Sequence, residues 1–419
     1  MKRPKKILLL SSNYKKGYMR NARCDFVSWS GTQWYPIQLG YLGAYLESQG
    51  YVVLLVDAQA YNLTDEKVGA IFKNFKPDYA VVYAGNESFD FDKALTEKIT
   101  KEICPAILAG PFYAYKTAGK RIWGISGCLE NGVQQWIEQG ADPNTHVFGT
   151  YLPTHKLDKI PFVSEFFAKR LHPKYYRTPS EPWPFVSIMT GRGCYWGKCT
   201  FCLWPRVAGS QGYYCRSIPN VIDELRFIEK IRIYKSVMIE DDSFPERRII
   251  DFCEAKIKAG IRIPWSCYVR AELRYETMVL MKQAKCLNIH VGYESGSDST
   301  LERIKKGITV DEMAAFTRRT KRAGLHIHGD FLIGIDRAED EIDKTIRFAC
   351  KIRPTTAQFQ VYIPYFEEEI WYRPWLERKA RIAYQHFYSD PRAWPAVMRQ
   401  LWKPAVLRQS IKTILGVKG

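Results

Sequence analysis

The chain has 419 residues, with 62 Lys and Arg against 44 Asp and Glu, for a formal charge of +18. Apolar residues make up 46% of it, the ordinary globular range, which excludes a disordered, collagenous or disulfide-scaffold chain and leaves room for two or three domains. No run approaches the roughly 18 uncharged apolar residues that a membrane span needs. The opening MKRPKKILLLSS has an apolar piece of only Ile7 to Leu10, with no small-residue cleavage site after it. It reads as a basic segment entering a buried strand of a cytoplasmic protein, not as a secretory signal.

In chain order, residues 5–12 (KKILLLSS), 51–58 (YVVLLVDA), 79–85 (YAVVYAG) and 105–110 (PAILAG) are short apolar runs that predict strands. Helix-like stretches lie between them over 39–49, 65–74 and 90–102. Continuous apolar strands alternating with helices mean a parallel sheet covered on both faces, so residues 1–145 are expected to be an α/β domain. Residues 146–183, rich in Pro, Tyr and Lys, read as a connector. From Pro184 the alternation resumes, with strands expected over 184–190, 235–241, 262–270, 288–294, 326–335 and 357–363. Amphipathic helices separate them over 219–232, 246–259, 275–285, 309–323 and 338–352. Six such units over 184–370 predict a parallel barrel, complete or partial, with its chemistry at the carboxyl ends of the strands. Residues 371–419 form a third piece, with ten Lys and Arg against two Asp and Glu. Tyr384, Phe387, Tyr388, Trp394 and Trp402 interleave those charges. The piece reads first as a helical cap on the barrel. Contact with an acidic membrane surface and, last, nucleic-acid binding are the alternatives.

Eleven cysteines in a chain this long do not suggest a disulfide framework, and eight scattered ones read as small buried hydrophobes. The other three are clustered. Gly191–Pro205 reads GRGCYWGKCTFCLWP, placing Cys194, Cys199 and Cys202 at C-x4-C-x2-C directly after the first barrel strand. Thiolates at this spacing converge on a soft metal centre. Zinc would want a fourth ligand, and no CxxC or HxxxH pair elsewhere offers an obvious one. Three cysteines fit a [4Fe–4S] cluster with one iron left open.

At these residues the sequence resembles the radical S-adenosylmethionine (SAM) enzymes. The family's usual spacing is C-x3-C-x2-C, with an aromatic before the last cysteine as in Thr200-Phe201-Cys202; one extra residue stands here in the first gap. Ile239-Glu240-Asp241-Asp242-Ser243-Phe244 resembles the family's second-strand end. Val291-Gly292-Tyr293-Glu294-Ser295-Gly296 resembles its fourth, followed by Leu301 to Gly307, and Gly329-Asp330-Phe331-Leu332-Ile333-Gly334 resembles its fifth. The resemblance implies that Cys194, Cys199 and Cys202 hold a [4Fe–4S] cluster. It also implies that Phe201, Asp241, Arg270, Glu294, Ser295 and Gly334 face SAM, with Glu294 accepting from its ammonium or ribose. Arg270 suits a pairing with the SAM carboxylate and a structural ion pair equally.

The amino-terminal domain resembles the Rossmann-like, flavodoxin-like cobalamin-binding domain of the B12-dependent radical SAM enzymes. Pro36-Ile37-Gln38-Leu39-Gly40-Tyr41-Leu42-Gly43-Ala44-Tyr45-Leu46 carries this, followed by the strand from Gly50 to Asp57. Ligands bind such sheets outside the carboxyl ends of the strands. The resemblance therefore implies cobalamin contacts at Ser11, Pro36, Leu39, Asn86, Glu87, Ser88, Gly110 and Pro111. The seven histidines lie at 146, 155, 172, 290, 326, 328 and 386, so no His of residues 1–145 is the lower axial ligand of cobalt.

Together these motifs imply a partial (β/α)6 radical SAM barrel behind a cobalamin domain. The enzyme would cleave SAM reductively to a 5′-deoxyadenosyl radical and methylate an unactivated carbon through methylcobalamin. Its substrate would be a small molecule or peptide and its reductant a flavodoxin or ferredoxin. Radical cyclisation or rearrangement on the same architecture is the first rival, and a non-catalytic iron–sulfur RNA-binding protein the second.

Overall fold

The computed structural model describes residues 3–20, 25–28, 31–85, 87–110, 123–150, 152–203, 212–336, 338–364 and 373–391. The apolar runs become the strands of two buried sheets. Ile7, Leu8, Leu9 and Leu10 are fully buried, as are Ala80, Val81 and Val82. The first sheet has six strands, all parallel where paired, numbered here in chain order: Lys6–Ser11, Val52–Asp57, Tyr79–Tyr83, Ala106–Ala109, Gly124–Gly127 and His146–Gly149. Their spatial order is 2-1-3-4-5-6, the flavodoxin-like order with one strand added, whose switch point lies between strands one and three.

The structure moves one boundary. The sequence reading ends the first domain near residue 145, but His146–Gly149 pairs in register with Gly124–Gly127 and extends the sheet. The strand is only four residues long, with His146 and Phe148 exposed, so it carried no apolar run to read. The connector is also more than a tether. Its helix Val163–Arg170 buries Val163, Phe166 and Phe167 against the helix Ile37–Ser48. It gets close because Gly40 and Gly43 stand there: a Cβ at either would come within 2.3 Å of Phe167 or Phe166.

The second sheet is a half-barrel of six parallel strands: Phe185–Ile188, Ser236–Ile239, Trp265–Val269, Cys286–Glu294, His326–Ile333 and Thr356–Val361. They lie in sequential order, and the first and last strands are not paired to each other. Alternate residues divide between the two faces. On the fifth strand Ile327, Phe331 and Ile333 are buried toward the helices, while His326, His328 and Asp330 lie on the opposite, half-exposed lumen face. One apolar cluster runs without a break from Ile7 and Leu9 of the first sheet to Phe331 and Phe359 of the second.

The helix Arg373–Tyr388 closes over the sixth strand. Leu376, Ala380, Ala383 and Phe387 are buried along one face of it. Phe359 meets Tyr384 and Phe387 at ring-centroid distances of 5.2 and 6.0 Å. The Tyr388 hydroxyl donates to Ala357 O at 3.0 Å and accepts from Ala357 N at 2.9 Å. This part of the tail is a cap. Trp394, Trp402 and the basic stretch credited with surface contacts lie outside the described residues. Among the described residues no helix is long and apolar enough to cross a membrane.

Phe387→Ala is expected to open a cavity under the sixth strand and cost about 3–5 kcal/mol, read as a lower urea midpoint. An unchanged midpoint would mean that the helix does not support the barrel.

Candidate functional site

The three cysteines sit at the carboxyl end of the half-barrel, on a loop whose root is held by two carboxylates. Asp241 is fully buried. It accepts from Thr190 N at 2.6 Å, Gly191 N at 3.1 Å and Thr190 Oγ1 at 2.6 Å, and from the Tyr213 hydroxyl. Asp242 accepts from Gly193 N at 2.7 Å, and Cys194 is the next residue. The Asp-Asp pair thus fixes the turn from strand one into the thiol loop. The Asp241 carboxylate, expected to face SAM, is taken up by this turn.

The extra residue in the first cysteine gap has a visible accommodation. Gly197 adopts φ +60°, the left-handed region glycine enters without cost. Trp196 folds back to donate from Nε1 to Lys305 O at 3.0 Å. Its ring occupies the space over Gly307, where a Cβ would come within 2.1 Å of it, and the Arg270 guanidinium lies 4.4 Å from its centroid. All three thiols are half-buried. Burial pushes the Cys199 thiol up, while the nearby Lys306 and Arg270 charges oppose that shift. Among the described residues only one trio of His, Cys, Asp or Glu donors lies within 4.8 Å of one another, and it is not these thiols. A single tetrahedral ion needs closer donors; three thiols on one loop beside two cations suit a larger anionic cluster.

Glu294 ends the fourth strand with φ +66°, uncommon for a side chain other than Gly, Asn or Asp. Its carboxylate accepts from Lys306 Nζ at 2.8 Å in a nearly dry pair, and the partner carboxylate raises the Lys306 ammonium pKa against the effect of burial. Lys306 sits in the segment that resembles the family, yet the sequence assigned it no role. Arg270 pairs with Glu272, its Nε donating at 2.7 Å, and its Nη2 donates to Lys306 O at 2.7 Å. Tyr195 also donates to Glu272, at 3.2 Å. Ser295 is turned away into a buried set, donating to Asp336 and accepting from Ser297 N at 3.0 Å. Gly334, at φ +97°, lies against Leu376 of the capping helix. Phe201 is half-buried against the main core. The structure therefore gathers the thiols, Arg270, Glu294 and Lys306, and it gives Asp241 and Ser295 buried protein partners.

In the first domain, Ser11, Glu87, Ser88 and Gly110 stand at the carboxyl ends of adjacent strands around the switch point. Asp92, which is fully buried, ties Ser88 to the end of the first strand from behind. Asp92 accepts from Gly85 N at 3.1 Å, from Ser88 Oγ at 2.6 Å, from Ser12 Oγ, and from Arg20 Nη2 at 2.9 Å. At Gly110 a Cβ would come within 2.8 Å of Ala84 O, so the rim there stays bare backbone. A low rim of small residues on a rigid base fits the flat, amide-edged macrocycle expected from the sequence. Pro36 precedes the helix Ile37–Ser48. Leu39, expected at the same ligand, is 1% exposed and part of the core. Asn86 and Pro111 lie outside the described residues.

The two carboxyl edges touch. Glu130, just past the fifth strand of the first sheet, receives Arg192 Nη1 at 2.9 Å and a second donation from Nη2. Tyr41 spans the same seam. Its hydroxyl donates to Met189 O and accepts from Met189 N, both at 2.9 Å, and its ring centroid lies 5.2 Å from the Arg192 guanidinium.

The Radical SAM superfamily model matches residues 188–349, the span that carries the thiol loop, Glu294 and Lys306. Residues 188–349 are a radical SAM domain. Among curated relatives it is 26% identical to an uncharacterized methyltransferase of Pyrococcus horikoshii, over 81% of this chain and 78% of that one. It is 23% identical to the anaerobic magnesium-protoporphyrin IX monomethyl ester cyclase of Rubrivivax gelatinosus, over 86% and 68%. Among solved structures, the cobalamin-dependent radical SAM enzyme OxsB, with aqua-cobalamin and SAM bound, superposes with a TM-score of 0.59 at 17% identity. That match covers 90% of this chain and 55% of OxsB, so the chain shares the fold over about half the length of that protein.

Asp241→Asn places an amide where donors already converge. It should cost at least about 1.5–3 kcal/mol, the worth of one hydrogen bond to a charged group. Reconstituted protein should also hold less iron and sulfide; full retention at unchanged stability would show that Asp241 does not anchor the loop.

Proposed function

We propose that this radical SAM protein is a cobalamin-dependent methyltransferase acting on an unactivated carbon of a small molecule or peptide. The observation that carries the reading is the contact between the two carboxyl edges at Glu130 and Arg192, two residues before Cys194. Parallel sheets bind ligands outside these edges, so a corrinoid crevice and a cluster loop would serve one shared space. The methyltransferase name of the P. horikoshii relative and the OxsB fold support the same view.

Cys194, Cys199 and Cys202 would hold the cluster, with Lys306 and Arg270 offsetting its negative charge. Glu294, held in place by Lys306, would take the SAM ammonium. Ser11, Pro36, Glu87, Ser88 and Gly110 would rim the corrinoid. When bound, the cluster and SAM supply one-electron cleavage of a sulfonium–carbon bond and the corrinoid supplies a transferable methyl group. Trp196 would brace the loop against Gly307, and Trp34 of the first domain lies 5.6 Å from Phe185 and 6.2 Å from His290, closing one side of the lumen. The reductant would be a flavodoxin or ferredoxin, in a cytoplasmic setting. Radical cyclisation is the second reading, favoured by the match to the R. gelatinosus cyclase.

Reduced protein loaded with cluster and corrinoid should convert SAM to both S-adenosylhomocysteine and 5′-deoxyadenosine, as two uses of SAM require. Deoxyadenosine alone would favour cyclisation, and neither product would remove both readings. Glu294→Gln should leave the roughly 400 nm cluster absorbance intact and weaken SAM binding by about 1.5–3 kcal/mol. Equal affinity in equilibrium dialysis would take Glu294 out of the SAM site.

A further inference from the structure

We propose that His290, His328 and Asp330 form a divalent-cation site of the zinc class inside the barrel lumen, separate from the thiol loop. The inference goes beyond methyl transfer and does not depend on it.

The sheet register brings the three together. His290 on the fourth strand pairs with His328 on the fifth, and Gly292 pairs with Asp330. Residues two apart on a strand share a face, so His328 and Asp330 share the lumen face with His290 beside them. Their ligand atoms all lie within 4.8 Å of one another. His328 Nε2 is 3.5 Å from Asp330 Oδ1, and two donors each about 2.0–2.1 Å from a tetrahedral zinc stand roughly 3.4 Å apart. The two imidazole centroids are 4.8 Å apart.

The orientation also suits a metal. His328 Nδ1 lies 2.7 Å from Thr356 Oγ1, which fixes the ring and turns Nε2 toward Asp330. Ligating histidines typically make such a bond with their second nitrogen. Two imidazoles and one carboxylate form the donor set of zinc sites that keep a coordination position open. The walls are built: the Tyr268 ring lies 4.7 Å from His290 and Trp34 closes the side behind it. Glu294 lies four residues further along the strand from His290, about 13 Å at 3.3 Å per residue. An oxygen donor of the substrate held on the ion would leave the rest of that substrate reaching toward the SAM end.

Zinc is neither the iron of the cluster nor the cobalt of the corrinoid, so it can be read alone. Full-length, cluster-loaded protein is dialysed against buffered Zn2+, and its zinc is measured by elemental analysis and zinc-edge X-ray absorption. One zinc per chain is expected, with nitrogen and oxygen neighbours at about 2.0–2.1 Å and no sulfur shell at about 2.3 Å. His328→Gln and Asp330→Asn should each abolish it. Thr356→Val should keep the stoichiometry and weaken the affinity by about 10- to 100-fold, the usual effect of losing an outer partner. Cluster absorbance and circular dichroism matching the unaltered protein certify each variant; if His328→Gln does not fold, Asp330→Asn and Thr356→Val carry the test. A sulfur shell, zinc retained in both ligand variants, or no zinc in the unaltered protein overturns the proposal. SAM cleavage products are measured separately, so loss of the zinc site and loss of the methyl-transfer reading are distinguishable.

Discussion

Glu130 and Arg192 meet across the domain seam with almost no solvent at either side chain. Taking such a pair out of water costs several kcal/mol per ion, and attraction with good hydrogen bonds offsets little more than that. Its net worth to stability is therefore small. Removing one partner is different, because the other is left as an uncompensated buried charge, at a cost of about 3–5 kcal/mol. The pair thus penalises every docking of the domains except this one. Arg192 belongs to the short strand Gly191–Gly193, so the same restraint reaches the thiol loop at Cys194. The Cys128 thiol beside it is pushed up to about 12 by burial and by Glu130, which keeps a second anion from forming there.

A second restraint is conformational. The left-handed Glu294 costs of order 1–3 kcal/mol, a strain that surrounding structure must over-determine. Three features do so. The pairing with the fifth strand slips between Gly292 and Glu294, which re-aims the side chain. Gly292 makes room, since a Cβ there would come within 2.2 Å of Glu294 Oε1. Lys306 then fastens the carboxylate.

Much of this was legible in the sequence because it rests on local signals. The barrel strands were readable from apolar runs, and the thiol loop from spacing alone. The helix Val310–Arg322 opens on a complete capping box between Thr309 and Glu312, and its predicted start falls at that cap. What escaped depends on register or on packing. His290 and His328 are far apart in sequence and become neighbours only when two parallel strands align. Lys306 looks like one more surface lysine until the chain turns it under Glu294. Asp241 carried the right motif, but whether a buried aspartate serves a ligand or the backbone depends on which N–H groups surround it. His146–Gly149 is short and half-exposed, so only its pairing partner reveals it.

Trp34 has a consequence for how such a chain can be taken apart. It precedes the first long helix, in the amino-terminal segment, yet its ring stands against Phe185 and His290 of the barrel. Gln33 also bridges to Arg177 in the connector. The boundary drawn along the sequence is therefore not a boundary in space. A barrel excised from residue 184 onward would lack the indole at its unpaired edge, and a transplanted amino-terminal half would have to bring an aromatic to the same place. For this architecture the unit that evolution or an engineer can exchange is the amino-terminal domain together with its plug, not the sheet alone.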